Sequence, residues 1–104
     1  MNVNYEEKDK QLILQITEEI DHHTSEKIRR KADYEIERFM PRKVIFDFSN
    51  VVFMDSAGIG MILGRYKMMK MLGGSVELKN VSPSLKKIFE MSGVTKICPI
   101  KQIV

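Results

Sequence analysis

The hydrophobic residues of this chain of 104 residues recur with a spacing of two in some segments and of three or four in others. Residues 11–17 have the first pattern, with apolar side chains at 12, 14 and 16, and predict a strand with one buried face. A second strand is predicted at residues 3–5, and the charged residues 6–10 predict the turn between the two. A nearly continuous apolar run at 44–48 predicts a strand buried on both faces, as in the centre of a sheet.

Three segments have the helical spacing. The first carries apolar residues at 28, 32, 36 and 39, opens within the capping-rich residues 21–26 and ends at Pro41. The second spans residues 56–72 and is stopped by Gly73 and Gly74, and the third begins at residues 82–83 and is stopped by Gly93. The inward side chains of the third helix are expected to be Leu85, Ile88, Phe89 and Met91.

Short strands at residues 76–78 and 95–100 complete the pattern, the last as an edge strand where Pro99 is tolerated. The resulting element order is β-β-α-β-α-β-α-β. This order predicts an α/β fold with a mixed β-sheet of about five strands and helices packed on it. A chain of this length forms one domain, here residues 1–104, without a disulfide or a metal to hold it together.

Charge and cysteine content narrow the class of protein further. The 17 basic and 14 acidic residues are interleaved, and the one basic cluster, at residues 27–31, is expected to be a solvated helix face, so no nucleic-acid partner is predicted. No apolar run approaches the ~20 residues of a membrane span, and the charged N-terminus is unlike a signal peptide. The single cysteine, Cys98, is expected to be a buried thiol. We therefore predict a cytoplasmic protein without a membrane partner.

Asp55 and Ser56 stand where a loop leads into the second helix, and both residue types cap free N–H groups. A hydroxyl at the positive end of a helix lies where an added phosphate would find amide donors and a favourable dipole. The neighbouring Asp55 carboxylate is expected to orient that hydroxyl. Ser56 is thus a candidate switch residue, the alternative from the residues alone being a simple helix cap.

The two sides of the second helix differ in an unexpected way. The stripe expected to lie on the sheet comprises Ile59, Ile62, Leu63 and Tyr66. The opposite side, where Lys and Glu would be usual, comprises Ala57, Gly60, Met61, Gly64, Met68 and Met71. Each interior glycine costs about 1 kcal/mol relative to alanine. Such a face predicts a flat, exposed surface for a partner protein, the alternative being that another element of the domain covers it.

Other chemistries find little support in the sequence. Asp21, His22 and His23 lack a nearby third ligand for a metal site. Residues 58–60 match neither the dinucleotide fingerprint nor the P-loop, so no cofactor is predicted. Ser56 lacks the surrounding glycines of a hydrolase nucleophile, and a small hydrolase remains a distant alternative. We predict a protein that is not an enzyme.

Residues 55–60 and 63–67 resemble the phosphorylation loop and second helix of bacterial anti-sigma factor antagonists of the STAS family. Residues 21–24 and 89–93 resemble two further motifs in the same order, so the resemblance covers almost the whole chain. It is strongest to the members that act in sporulation on the anti-sigma factor of sigma factor F. The resemblance implies a single STAS domain, with the usual terminal helix short or absent here.

The same resemblance implies a protein-binding switch in transcription regulation. The unphosphorylated form would bind an anti-sigma factor with serine kinase activity and release the sigma factor. That kinase would phosphorylate Ser56, and a protein serine phosphatase would reset the switch. The alternative is a STAS regulatory or scaffold module of a stress-signalling assembly. The predicted partner-binding residues are Asp21, Asp55, Ala57, Gly58, Gly60, Met61, Gly64, Arg65 and Met68.

Overall fold

A computed structural model describes residues 1–101 as a five-stranded sheet with three α-helices. The strands are β1 (Asn2–Glu6), β2 (Gln11–Gln15), β3 (Lys43–Asp47), β4 (Ser75–Lys79) and β5 (Ile100–Lys101). The helices are α1 (Ser25–Phe39), α2 (Ser56–Met71), α3 (Pro83–Ser92) and a short 3-10 helix at Val94–Lys96. The expectation of a short or absent terminal helix concerns residues outside those described.

The sheet has the strand order β1-β2-β3-β4-β5, with β1 antiparallel to β2 and the other pairs parallel. This arrangement confirms the predicted element order and the mixed sheet. Leu14, Phe46 and Leu78 share one level across β2, β3 and β4. In β3, Val44, Ile45 and Phe46 are all buried, as expected for the centre of a sheet.

The core lies between one face of the sheet and the three helices. Ile28, Ala32 and Ile36 of α1 are buried, as their spacing predicts. From α3, Leu85 and Phe89 enter the core, whereas Met91 is 89% exposed, so its predicted inward position is wrong. No helix within residues 1–101 combines the length and the apolar composition that crossing a membrane requires.

The predicted strand at residues 95–100 is mostly replaced by a tight turn. The amides of Ile97 and Cys98 donate to the carbonyl of Val94, at 3.1 and 2.8 Å, and Pro99 has no amide to offer a sheet. Strand pairing begins only at Ile100. Cys98 is buried as expected, and burial raises the pKa of its thiol to about 11.

One β-bridge fixes the start of α2. The bridge joins Ile20, in the loop before α1, to Met54, in the loop before α2, and both side chains are buried. The first turn of α2 lies on this pair at Gly58. A Cβ at Gly58 would overlap the Met54 side chain and lie 2.9 Å from Cγ2 of Ile20. Glycine is therefore required here by a close approach.

We predict that Gly58→Ala lowers the free energy of unfolding by about 1–3 kcal/mol, the usual cost of overpacking. Gly60→Ala is the matched control, because a Cβ there would have no atom within 4 Å and the helix propensity of alanine should add about 0.5–1 kcal/mol. Urea denaturation of both variants checks this. Equal free energies of unfolding for the two variants would show that the first turn of α2 is not in close contact with the bridge.

Candidate functional site

Ser56 is the first residue of α2, and its side chain is exposed. Asp55 is the N-cap, and its Oδ1 accepts hydrogen bonds from the amides of Ala57, at 2.9 Å, and Gly58, at 3.3 Å. Its carbonyl oxygen accepts from the amides of Gly58 and Ile59, at 3.1 and 3.2 Å. The cap that the sequence predicts is thus formed by Asp55, and Ser56 is displayed beside it.

This geometry corrects two expectations. Within residues 1–101, the side-chain hydrogen bonds of Asp55 go to backbone amides and none goes to the Ser56 hydroxyl, so Asp55 does not orient that hydroxyl. The amides of Ala57, Gly58 and Ile59 are already bonded to Asp55 and are not free for a phosphate. A phosphate on Ser56 would meet solvent and a neighbouring carboxylate, with the helix dipole and the amide of Ser56 itself as attractions.

The loop before α1 lies next to this site. Asp21 directly follows Ile20, and Asp55 directly follows Met54, so the bridge between Ile20 and Met54 brings both acidic loops together. Paired strands lie about 5 Å apart. Asp21 is exposed, so the two loops beside Ser56 each carry a carboxylate, while Arg29 and Arg65 line the depression next to Ala57.

The Asp21 side chain orders its own loop and does not cap the first turn of α1, which begins at Ser25. The carbonyl oxygen of Asp21 accepts from the amide of Ser25 at 2.9 Å. The side-chain Oδ1 of Asp21 accepts from the amides of His23 and Thr24, at 2.8 and 2.9 Å. The bond from Thr24, helped by that from His23, lowers the pKa of Asp21. His22 and His23 are exposed, and no three metal-binding side chains cluster anywhere in the described part of the chain.

The buried side of α2 is turned by about 100°, or one residue, from the predicted side. Met61 is 4% exposed and belongs to the core, so its predicted position on the open face is wrong. Ile62 and Met69 are fully buried with it. The residues of the predicted stripe that are only partly buried are Ile59, Leu63 and Tyr66.

Arg65 is buried as well, between α1 and α2. Its Nε lies 2.8 Å from Oδ1 of Asp33, although the N–H is not aligned for a hydrogen bond. Burial lowers the pKa of this guanidinium, and Asp33 opposes the shift. The pair links the two helices, and Arg65, although only 8% exposed, lines a surface depression between them. Its contact with a partner stays a prediction.

The open side of α2 faces two depressions along α1. The first depression has a volume of about 200 Å³ and lies near Ser56. Ala57 and Gly60 line it on one side and Arg29 on the other. Further along, Gly64 and Met68 line an apolar groove of about 480 Å³. The other side chains of this groove are Ile36, Glu37, Met40, Lys67, Met71 and Leu72.

The sequence left open whether this face of α2 is exposed or covered by another element, and the surroundings of its two glycines favour exposure. A Cβ at Gly60 or Gly64 would have no atom within 4 Å, so no element within residues 1–101 covers either glycine. The predicted partner-binding residues that remain wholly or partly exposed are Asp21, Asp55, Ala57, Gly60, Gly64 and Met68. The three that are buried are Gly58, Met61 and Arg65.

Sequence reasoning missed two exposed apolar residues beside this site. Val52 is 62% exposed and Phe53 is 59% exposed, immediately before Met54. The signal in the sequence was a valine and a phenylalanine in a loop between a predicted strand and the candidate switch serine.

The mixed five-stranded sheet and the capped helix that displays Ser56 define an α/β domain, and comparison with known proteins identifies its family. The profile of the STAS domain family matches residues 2–104. The chain belongs to the STAS domain family, as the resemblance of its motifs predicts.

Its relatives include antagonists of anti-sigma factors. The chain is 40% identical over 89 residues to the "Anti-sigma F factor antagonist" of Paenibacillus polymyxa, which covers 86% of this chain and 76% of that protein. The anti-sigma factor antagonist SpoIIAA in its unphosphorylated form has a similar structure, with a TM-score of 0.82, 28% identity and coverage of 99% of this chain and 87% of that one. The Bacillus cell fate determinant SpoIIAA in its phosphorylated form matches with a TM-score of 0.72, 29% identity and coverage of 99% and 92%.

We predict that Gly64→Glu changes the free energy of unfolding by less than about 1 kcal/mol, because its side chain enters the open groove and glutamate favours helix. Met61→Glu, three residues earlier, should cost several kcal/mol by burying a carboxylate in the core. Thermal and urea denaturation of the pair measure this. A comparable loss in both variants would mean that the groove is internal packing.

Proposed function

We propose that this protein is an anti-sigma factor antagonist: its unphosphorylated form binds an anti-sigma factor and so releases the sigma factor. It acts as a binding protein and not as an enzyme. The observation that carries the proposal is the exposed Ser56 on a rigidly capped helix, next to an uncovered helix face. The relative named an anti-sigma F factor antagonist supports the same role. The resemblance of the sequence motifs extends the proposal to the regulation of sporulation.

The anti-sigma factor in this proposal is a serine kinase that uses ATP. Phosphorylation forms a bond between Ser56 Oγ and the γ-phosphorus of ATP, breaks the bond between that phosphorus and ADP, and releases the hydroxyl proton. A protein serine phosphatase then hydrolyses the phosphoserine and restores the binding form. The likeness of this chain to SpoIIAA in both its unphosphorylated and its phosphorylated form supports such a cycle.

The switch in this proposal is local electrostatics. A phosphate adds a charge of about −1.5 to −2 near the carboxylates of Asp55 and Asp21. The amides of Ala57, Gly58 and Ile59 are already bonded to Asp55. In the free protein the phosphate is hydrated. A partner that covers Ser56 has to remove this hydration, and a hundredfold loss of affinity needs only about 2.7 kcal/mol. No rearrangement of the fold is required.

We predict that Ser56→Ala folds normally, because Asp55 provides the cap, and that it holds the anti-sigma factor without being released by ATP. Ser25→Ala is the control, since Ser25 is likewise the first residue of a helix. Phosphate incorporation from labelled ATP and co-purification with the kinase measure both properties.

Incorporation should vanish in Ser56→Ala and persist in Ser25→Ala. Undiminished labelling of Ser56→Ala would contradict the assignment of the acceptor. Stable binding of the wild-type protein that ATP does not affect would favour a STAS scaffold module over a switch.

A further inference from the structure

Val52 and Phe53 are adjacent apolar side chains, each more than half exposed. Single exposed apolar residues are common on folded proteins and need no function. These two adjoin each other in sequence and precede Ser56 by four and three residues. Their position indicates that they contact a partner protein that binds at Ser56.

The structure holds this pair outward between two buried anchors. Val51, just before the pair, is buried, and its amide donates to the carbonyl of Phe48 at 2.9 Å. Met54, just after it, is buried in the bridge to Ile20. The loop therefore cannot turn Val52 and Phe53 inward without extracting an anchor from the core.

A third contact fixes the backbone between the anchors. The hydroxyl of Ser84, near the start of α3, donates to the carbonyl of Val52 at 3.1 Å. A side chain presented by a fixed backbone loses little conformational freedom when a partner covers it. Aromatic side chains that become buried when a partner binds contribute much of the binding energy at protein interfaces.

Chain geometry indicates which partner covers the pair. Three residues span at most roughly 10 Å, so Phe53 lies within that distance of Ser56 along the backbone. Asp55 is fixed by its cap, so Ser56 cannot extend away from the loop. An enzyme whose active site reaches Ser56 Oγ therefore comes within reach of the exposed Phe53 side chain.

We propose that Val52 and Phe53 form an apolar recognition element for the kinase that phosphorylates Ser56, which presents an apolar cleft beside its active site to receive Phe53. This inference rests on the proposed function, in which that kinase is the anti-sigma factor. The acidic loops at Asp21 and Asp55 flank the acceptor, and the apolar pair determines how the kinase is placed on it.

The test is steady-state phosphorylation of the full chain by the purified anti-sigma factor with ATP. In the double variant Val52→Ser, Phe53→Ser, kcat/KM should fall at least tenfold, mainly through KM, while the urea midpoint stays unchanged. Met91→Ser removes an apolar side chain that is 89% exposed at the far end of α3, and it should behave as wild type. Phe53→Leu, which keeps an apolar side chain, should retain most of the activity.

The outcomes separate the two proposals. Wild-type kcat/KM in the double variant would overturn the recognition element and leave Ser56 as the acceptor. A wild-type protein that is not phosphorylated on Ser56 at all would overturn the proposed function as well. A large drop in the urea midpoint of the double variant would show that the two side chains are packed, which also contradicts the inference.

Discussion

The close contact of the first turn of α2 with the bridge between Ile20 and Met54 determines the geometry of the site. Glycine at position 58 permits this contact without strain, because a Cβ there would overlap Met54 and force the side chains of the bridge to shift. The contact fixes the N-terminus of α2, places the loops of Asp21 and Asp55 side by side, and holds the segment before Ser56 against the core. Hydrophobic packing below the surface thus fixes a polar site above it.

The two sides of α2 differ in burial, one packing into the core and the other remaining uncovered. One side buries Met61, Ile62 and Met69, and Arg65 makes its ion pair with Asp33 of α1. The other side leaves Gly60 and Gly64 uncovered along α1. The proposed partner therefore meets a surface whose shape is set by tight packing on the opposite side, so it binds a preformed face and little conformational entropy is lost.

The sequence predicted the first four strands, the helix ends and the position of Ser56 at the start of α2, because alternation, caps and breakers are local signals. It predicted the wrong inward side for α2, since that helix is apolar on nearly all sides and its hydrophobic residues give no direction. Three other features depend on three-dimensional contacts. Asp55 binds amides at the start of α2, a tight turn replaces most of the last predicted strand, and buried neighbours keep Phe53 exposed. No local pattern reports them.

The central claim is that phosphorylation of Ser56 acts by local charge on an unchanged fold. Backbone amide chemical shifts of the unphosphorylated and phosphorylated protein test it most directly. Changes confined to residues 53–59 and to the adjoining residues 20–24 are the predicted result. Changes that extend along α2 to Met69 and into β4 would contradict the claim, because they would show that the phosphate moves the helix against the sheet.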